Sequence, residues 1–161
     1  MKSEISIKVT DKYKTEYAKG YPLITKEALE NPEALQKEGS ILKLTDKQGR
    51  FLAKGYYGLQ NKGFGWILTH DESEAIDQDF MERKLATAIG RRQAFYSNLE
   101  TTAFRVFNGE GDGFGGLIID YYAGFYLLSW YSEGVYTFKD EIIAALQNVA
   151  ECKGIYQKKT I

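Results

Sequence analysis

Apolar and polar residues alternate in four short segments of the first half of the chain, which is the period of half-buried β-strands. These segments cover residues 5–9, 41–45, 50–54 and 65–69. Glycines recur between them, and the one helix-prone insert lies around residues 25–37, where Pro32 suits a first helical turn. Short strands at this spacing predict a small barrel or pseudo-barrel over residues 1–72.

The hydrophobic period changes to that of a helix between Asp77 and Tyr96. Acidic residues lie at the start of this segment and Arg91 and Arg92 near its end, as the helix dipole favours. The apolar positions are Met81, Leu85, Ala88 or Ile89, and Phe95 or Tyr96. The opposite stripe is basic, with Arg83, Lys84, Thr87 and Arg91. Taken alone, it predicts a solvated helix face.

More strands and a second helix are predicted after this point. The strands cover residues 103–107, 116–122, 125–132 and 155–156. Ala123 and Gly124 form a tight hairpin turn, and Thr137, with Asp140 three residues later, is predicted to open the helix. One helix covers one face of such a sheet, so we expect a further partner domain to cover the other face.

A glycine-rich stretch, residues 108–121, separates two of these strands. It matches G-x-G-x-x-G at Gly111, Gly113 and Gly116, but a phosphate-binding loop needs a helix at the last glycine, and here a strand begins. A calcium loop is excluded because Ile119 occupies the twelfth position, where a bidentate glutamate is required. The stretch is predicted to join two strands.

Composition indicates an ordinary globular protein. Hydrophobic residues make up 43% of the 161 residues, which is enough for one domain or two small ones. No apolar run is long enough for a membrane span, and the charged start does not fit a signal peptide, so we expect a cytoplasmic location and no membrane partner. The single Cys152 and single His70 exclude an internal disulfide and a zinc site of their own, and no metal is expected.

The net charge of −1 conceals a difference between the two parts of the chain. Residues 1–62 contain twelve Lys and Arg against eight Asp and Glu, whereas residues 63–161 contain nine against fourteen. The chain as a whole is therefore not a simple electrostatic nucleic-acid binder. The split favours two modules with different tasks, although a chance fluctuation explains it equally well.

Several motifs occur in an order that resembles a known family. They are Gly20-Tyr-Pro-Leu23, Phe51-Leu-Ala-Lys-Gly-Tyr-Tyr57, Ile76-Asp-Gln-Asp-Phe80, the pair Arg91-Arg92, and a block containing Arg105, Gly109, Glu110, Asp112, Gly113, Gly116, Leu117, Ile118 and Asp120. On these residues, nearly the whole chain resembles the amino-terminal part of the PUA-domain 23S ribosomal RNA cytosine-C5 methyltransferases, which depend on S-adenosylmethionine (SAM). Leu23, Gly115 and Tyr121 depart from the family pattern of Trp, Pro and, often, Arg.

The resemblance implies an α+β fold in three parts. These are a PUA-like pseudo-barrel over residues 1–72, a linking helix over 73–98, and a small β-β-α-β (EEHEE-like) domain over 99–161. The Rossmann-like methyltransferase domain is expected to be absent from this chain. The chain would then recognise and position the substrate without catalysing the reaction, with no cofactor of its own and SAM bound only in the full-length protein. Its expected partners are ribosomal RNA and its own C-terminal methyltransferase domain, and a homodimer is left open.

Exposed cations and aromatic rings beside glycine turns suit phosphates and unpaired bases. The candidate RNA-binding residues are Lys19, Tyr21, Lys54, Tyr56, Lys62, Arg83, Lys84, Arg91 and Arg92. The loop residues Arg105, Asn108, Glu110 and Asp112 have two interpretations. They form either an interdomain lock or, as we favour, a structural network in which Glu110 and Asp112 pair with Arg105.

No catalytic residue is expected in the chain. Cytosine C5 methylation needs a thiolate that adds at C6, and Cys152 lies at a helix end with no second cysteine or histidine near it in sequence. Two other functions stay open. The chain is alternatively a stand-alone RNA-binding protein, or a domain that binds protein through the tyrosine-rich hairpin at residues 121–136.

Overall fold

The computed structural model describes residues 2–161, and its first sheet has five strands. They are β1 (Glu4–Lys8), β2 (Leu23–Thr25), β3 (Ile41–Thr45), β4 (Phe51–Gln60) and β5 (Gly63–Thr69). Their order across the sheet is β1-β3-β4-β5-β2, with β1 parallel to β3 and every other pair antiparallel. The four strands predicted in this half are confirmed, and β2 is an addition.

The helices of the first half differ from the prediction. Residues 25–37 form only two single 3-10 turns, the second of which begins at Pro32. A true helix, α1, instead covers Asp11–Ala18. The apolar pattern missed it because its core contact is made by aromatic rings one turn apart, Tyr13 and the fully buried Tyr17, in an otherwise polar segment.

The second sheet has four strands in sequence order. They are β6 (Ala103–Asn108), β7 (Leu117–Tyr122), β8 (Phe125–Trp130) and β9 (Gly154–Lys159). The first three are antiparallel, and β9 returns parallel to β8. The predicted hairpin turn is confirmed, because Ala123 and Gly124 both have a positive φ, of 48° and 98°. The glycine-rich stretch joins β6 to β7, also as predicted.

Four helices accompany this sheet. They are α2 (Gln78–Arg91), α3 (Gln93–Tyr96), α4 (Glu133–Tyr136) and α5 (Lys139–Val149). Asp77 caps α2 by accepting the Phe80 N–H at 3.0 Å. Thr137 does not open a helix as predicted, because its hydroxyl donates to the Gly134 carbonyl, and Ser132 caps the short α4 instead.

The predicted linking helix, α2, is also part of the core. α2 buries Phe80, Met81, Leu85 and Ala88 in the core between the second sheet and α5. A polar contact joins the two helices at the surface, where the Asn148 amide donates to the Glu82 carboxylate at 2.6 Å. α2 is therefore a structural layer of the second half, and removing it would uncover that core.

Two cores meet at the first sheet, because adjacent residues of β4 point to opposite faces. Tyr57 belongs to the first core, with α1 and the 3-10 turns. Tyr56, together with Ile41 and Leu68, belongs to the second core, which continues through α2 into the second sheet. The first sheet is thus covered on both faces, and the two halves of the chain share one hydrophobic interior.

Candidate nucleic-acid interface

The exposed ring of Tyr21 packs on the buried ring of Tyr17 just after the end of α1. Tyr21 is 39% exposed and stacks on Tyr17, with ring centroids 6.1 Å apart and planes 19° from parallel. Tyr17 is held in place because its hydroxyl donates to the Leu23 carbonyl at 3.0 Å and accepts the Thr25 N–H at 3.4 Å. One face of the Tyr21 ring is therefore supported by the core, which suits the ring to stack on a base.

Two of the predicted lysines, Lys19 and Lys62, are exposed in the same half of the chain. Lys19 precedes Gly20, whose φ of 98° turns the chain from α1 towards β2. Lys62 lies in the tight turn between β4 and β5, beside the β2 residue Thr25 that pairs with Gly63. Three residues separate Thr25 from Tyr21, and the four extended steps between them span about 13 Å of backbone. Both lysines are exposed, and neither forms an ion pair with any residue in 2–161.

Two of the predicted RNA contacts are wrong because both side chains are buried. The Lys54 ammonium donates to the carbonyl oxygens of Glu72 at 3.1 Å and Glu74 at 2.8 Å, and so fastens the chain that leads into α2. Tyr56 is inaccessible to solvent, and its hydroxyl donates to the Gly115 carbonyl at 2.5 Å. Burial raises the pKa of this hydroxyl well above its ordinary value, so it remains a donor.

The basic stripe of α2 is only partly available. Arg83 reaches the Glu74 carboxylate at 3.1 Å, and the Lys84 ammonium lies 5.2 Å from the centre of the Phe80 ring. Arg91 has a side chain that is 59% exposed, although one of its nitrogens reaches Asp112 at 3.1 Å. Arg92 is only 17% exposed. The Arg91 guanidinium is thus better placed to meet a phosphate than the Lys84 ammonium, which is half-buried against Gly113.

Asp112 ties the glycine-rich loop to the end of α2. One carboxylate oxygen accepts from Arg91 and Arg92, and the other accepts from Arg92 at 2.7 Å and from the Asn108 N–H at 2.8 Å. Burial alone would raise the pKa of Asp112, but the bonds from Arg92 and Asn108 outweigh it and hold the pKa below its ordinary value. Asp112 thus stays ionised, and its negative charge is compensated. Because two arginines contact this one carboxylate, one positive charge is left in excess.

The predicted partner of this carboxylate is wrong. Arg105 does not pair with Glu110 or Asp112, because it lies opposite Asp120 on the neighbouring strand and donates to that carboxylate at 2.9 Å and 3.4 Å. Glu110 is exposed and pairs with no side chain in 2–161. The prediction relied on closeness in sequence. The antiparallel register of β6 and β7 instead places residue 120 opposite residue 105, closer to it than the residues of the loop are.

One cleft contains the single cysteine. It has a volume of about 740 Å³ and is lined by the rings of Tyr96, Tyr121 and Tyr126 and by Cys152. None of the predicted RNA contacts lines it. Burial raises the pKa of the Cys152 thiol, so the thiol stays protonated at neutral pH, which is the opposite of what a nucleophile needs.

The glycine-rich loop does not fit a nucleotide cofactor or a metal. A strand follows its last glycine, so the loop offers no helix start for a phosphate. Among residues 2–161, no three His, Cys, Asp or Glu side chains come together as a metal site. Within that range, no helix combines the length and apolar character that a membrane crossing requires.

The sequence reasoning missed the support beneath Tyr21. Tyrosines recur at positions 13, 17 and 21, and this four-residue spacing predicts rings that meet along one helix face. In the structure Tyr13 and Tyr17 lie 5.8 Å apart and Tyr17 and Tyr21 lie 6.1 Å apart. The signal was therefore present, but its first two members lie in a helix that the pattern did not predict.

Comparison with known proteins places this geometry in context. Residues 7–70 match the model of the PUA-like domain. A protein of Bacillus subtilis (strain 168), named as a candidate ribosomal RNA large subunit methyltransferase, YwbD, is 53% identical over 88% of this chain. Ribosomal RNA large subunit methyltransferase I of Klebsiella pneumoniae (strain 342) is 30% identical over the same share. The chain covers 36% and 35% of these two relatives, so it spans about a third of their length.

Two solved structures are similar to the whole chain. A candidate SAM-dependent methyltransferase from Streptococcus mutans matches 96% of it with a TM-score of 0.87 and 30% identity. A candidate methyltransferase complexed with SAH matches 98% of it with a TM-score of 0.84 and 29% identity. The chain covers 40% of each. It therefore has a PUA-like domain and is homologous to large subunit ribosomal RNA methyltransferases, which confirms the resemblance at that level.

These matches also correct the predicted fold class. The prediction that a Rossmann-like domain is absent does not stand, because solved methyltransferase structures match 96% and 98% of this chain. The expectation that this chain has no cofactor is likewise unsupported, since one of those two structures is complexed with SAH.

Proposed function

We propose that this chain recognises large-subunit ribosomal RNA for a SAM-dependent methyl transfer, and that the methylated atom is C5 of a cytosine. The named function of the relatives supports the substrate class. The observation that carries the proposal is the Tyr21 ring, which is exposed and stacked on the buried Tyr17. An ordered ring in the same half of the chain as the unpaired Lys19 and Lys62 fits a single RNA strand, whose bases stack and whose phosphates need counter-charges.

The first contact surface consists of Lys19, Tyr21 and Lys62. The ring takes one unpaired base, and each ammonium meets a phosphate on either side of it. The second surface is the end of α2, where the exposed Arg91 lies beside the compensated Asp112 and the half-buried Lys84 lies against Gly113 of the loop. Phosphates there would be bound without disturbing the Asp112 network, because Arg92 alone contacts both of its oxygens.

The described residues bind and position RNA in this proposal, and no catalytic role is given to any of them. SAM supplies the methyl group when it is bound, and addition of a thiolate to C6 makes C5 nucleophilic. Cys152 is unsuited to that addition because its thiol is half-buried and protonated. A cytoplasmic location, a separate catalytic partner unit and a homodimer stay predictions.

Filter binding of the 161-residue chain to fragments of large-subunit ribosomal RNA tests the RNA surface. Tyr21→Ala should weaken binding about tenfold or more, because base stacking on an aromatic ring is worth about 1–3 kcal/mol. Tyr156→Ala is the matched control, since Tyr156 is 61% exposed but has no buried ring beneath it. Equal effects of the two substitutions, or no effect of either, would reject the proposed surface.

Salt dependence tests the lysines separately. The double variant Lys19→Ala, Lys62→Ala should lower the slope of log affinity against log salt by about 1.4, since each phosphate contact on a single strand contributes about 0.7. Lys153→Ala, an exposed lysine of the second half, should leave the slope unchanged. A salt-insensitive association that depends on the tyrosine-rich hairpin at residues 121–136 would instead favour the protein-binding alternative.

Methyl transfer tests the reaction. The complete product of the gene that encodes this chain, supplied with tritiated SAM and ribosomal RNA, should yield 5-methylcytidine after digestion of the RNA. A different methylated nucleoside would keep the substrate class and reject the cytosine C5 assignment. Absence of any transfer would reject both.

A further inference from the structure

A small notch lies where the first sheet meets the glycine-rich loop, and none of the contacts proposed above uses it. Its volume is about 270 Å³. The rings of Trp66 and Tyr131 line it, and three polar side chains, Gln60, Arg105 and Glu110, also face it. We call these five residues the junction notch. It combines aromatic walls with a few polar groups, as sites for planar polar ligands do.

Glycines bring the floor of the notch against the indole ring. A Cβ atom at Gly115 would overlap the ring of Trp66, and one at Gly116, where φ is +88°, would lie 2.6 Å from the Tyr56 hydroxyl. The Tyr56 hydroxyl donates to the Gly115 carbonyl at 2.5 Å, and the Tyr131 N–H donates to the Gly116 carbonyl at 3.0 Å. Each aromatic wall thus lies against one of two adjacent glycines, Trp66 against Gly115 and Tyr131 against Gly116, and the notch is preformed.

The polar groups of the notch have unused hydrogen-bonding capacity. Gln60 accepts the Trp66 indole N–H at 3.3 Å through its side-chain oxygen, so its amide NH₂ is left without a protein partner in residues 2–161. Arg105 uses two of its nitrogens on Asp120 and keeps the third. The Glu110 carboxylate bonds to no side chain in that range. The notch therefore offers an acceptor-only group and two donors.

We propose that the junction notch binds one unpaired guanine base, an inference that rests on the proposed RNA-binding function. The guanine Watson–Crick edge carries two adjacent donors, N1–H and the 2-amino group, which match the two oxygens of Glu110. Its O6 acceptor matches the Gln60 amide. Adenine and cytosine present one donor beside an acceptor, and uracil presents one donor between two acceptors, which a carboxylate repels. Stacking on Trp66 or Tyr131 holds the base plane.

The same carboxylate argues against a phosphate as the ligand of the notch. Glu110 repels an anion, and the positive charge of Arg105 is already paired with the Asp120 carboxylate. The free nitrogen of Arg105 suits the phosphate next to the bound base instead. The notch thus recognises its ligand through the hydrogen-bonding edge of the base.

Tryptophan fluorescence tests the inference directly, because Trp66 lines the notch while Trp130 is fully buried. Uridine hexamers with one central guanosine, adenosine or cytidine, and hexauridine itself, are titrated into the 161-residue chain. The guanosine hexamer should quench the fluorescence and bind about tenfold more tightly than the others, the range expected for a bidentate contact to a base. Trp66→Phe should abolish the quenching.

Substitution of Glu110 tests the role of its carboxylate. Glu110→Gln should bind all four hexamers within twofold of one another, because an amide presents one donor and one acceptor in place of two acceptors. Glu100→Gln, another exposed glutamate with no side-chain partner in the described range, should keep the guanosine preference. Circular dichroism confirms that each variant is folded.

The outcomes separate this inference from the proposed function. If the chain binds ribosomal RNA through Tyr21 but shows no guanosine preference, or if Glu110→Gln keeps that preference, the notch inference is overturned and the proposed function stands. If the chain binds neither ribosomal RNA nor any hexamer, both are rejected.

Discussion

At the scale of single residues, Asp112 shows how burial and hydrogen bonding turn an acidic loop into a structural tie. Four donors converge on its two oxygens, from Arg91, Arg92 and the Asn108 backbone. The loop therefore presents less negative charge to a polyanion than its sequence indicates, and only Glu110 is left to face solvent as a free carboxylate. The carboxylate fixes the loop against α2, and the loop fixes the floor of the junction notch.

We expect Asp112→Asn to lower the free energy of unfolding by about 2 kcal/mol at pH 7, since charged hydrogen bonds are lost beside two arginines. Because the folded-state pKa lies below the ordinary 3.8, this stabilisation is present above pH 4 and is lost as the pH falls through the folded-state pKa. Urea unfolding at pH 7 and at pH 2.5 measures it. The difference between the variant and the unmodified chain should be smaller at the lower pH, and Glu100→Gln should match the unmodified chain at both.

The burial of Lys54 and Tyr56 also could not be predicted from the sequence. Both lie in a strand bounded by glycines, where cations and rings often face solvent. Their strand, however, is the middle one of five, and chain segments far apart in sequence cover both of its faces. Tyr21 and Lys62 lie at the ends of strands, so their exposure could be predicted from local pattern alone.

At the scale of elements, the local sequence pattern predicted the main helices and strands, but it did not predict which elements pack against one another. The helical period gave α2, the alternating period gave the main strands, and Ala123-Gly124 gave the hairpin. The role of α2 as a core layer depends on α5, some sixty residues later, and periodicity has no access to such a pairing. The basic stripe was predicted, yet much of it is used to hold Glu74 and Asp112.

Leu85→Ala distinguishes a core layer from a link. Leu85 is 3% exposed on the buried side of α2, so truncation should leave a cavity and lower the free energy of unfolding by about 3 kcal/mol. Thr87→Ala, on the exposed side of the same helix, should change it by less than about 0.5 kcal/mol. Urea denaturation followed by circular dichroism measures both. A loss below about 1 kcal/mol for Leu85→Ala would return α2 to the role of a linker.

At the scale of the whole molecule, the two sheets share a hydrophobic interior. Ile41, Tyr56 and Leu68 of the first sheet lie in one cluster with the residues of α2 and the second sheet. Two modules of opposite net charge are thus joined by packing, and the charge difference seen in the sequence does not mark two independent folding units. The likeness of the chain to methyltransferase structures over nearly its full length is consistent with such a fixed arrangement.

We therefore expect the chain to unfold in a single transition. Trp66 reports on the first sheet and Trp130 on the second, so Trp130→Phe and Trp66→Phe each leave one local reporter. Within each variant, the urea midpoint from tryptophan fluorescence should agree with that from circular dichroism. Two separated midpoints within one variant would show that the halves unfold independently.

The adjacent tyrosines in β4 determine whether the PUA-like half can be produced on its own as a fusion tag. A product cut after residue 72 would keep Tyr57 in its own core but expose Tyr56, Ile41 and Leu68 to water. Such an apolar patch favours aggregation, so the excised piece should be poorly soluble unless α2 is carried with it or those three positions are made polar.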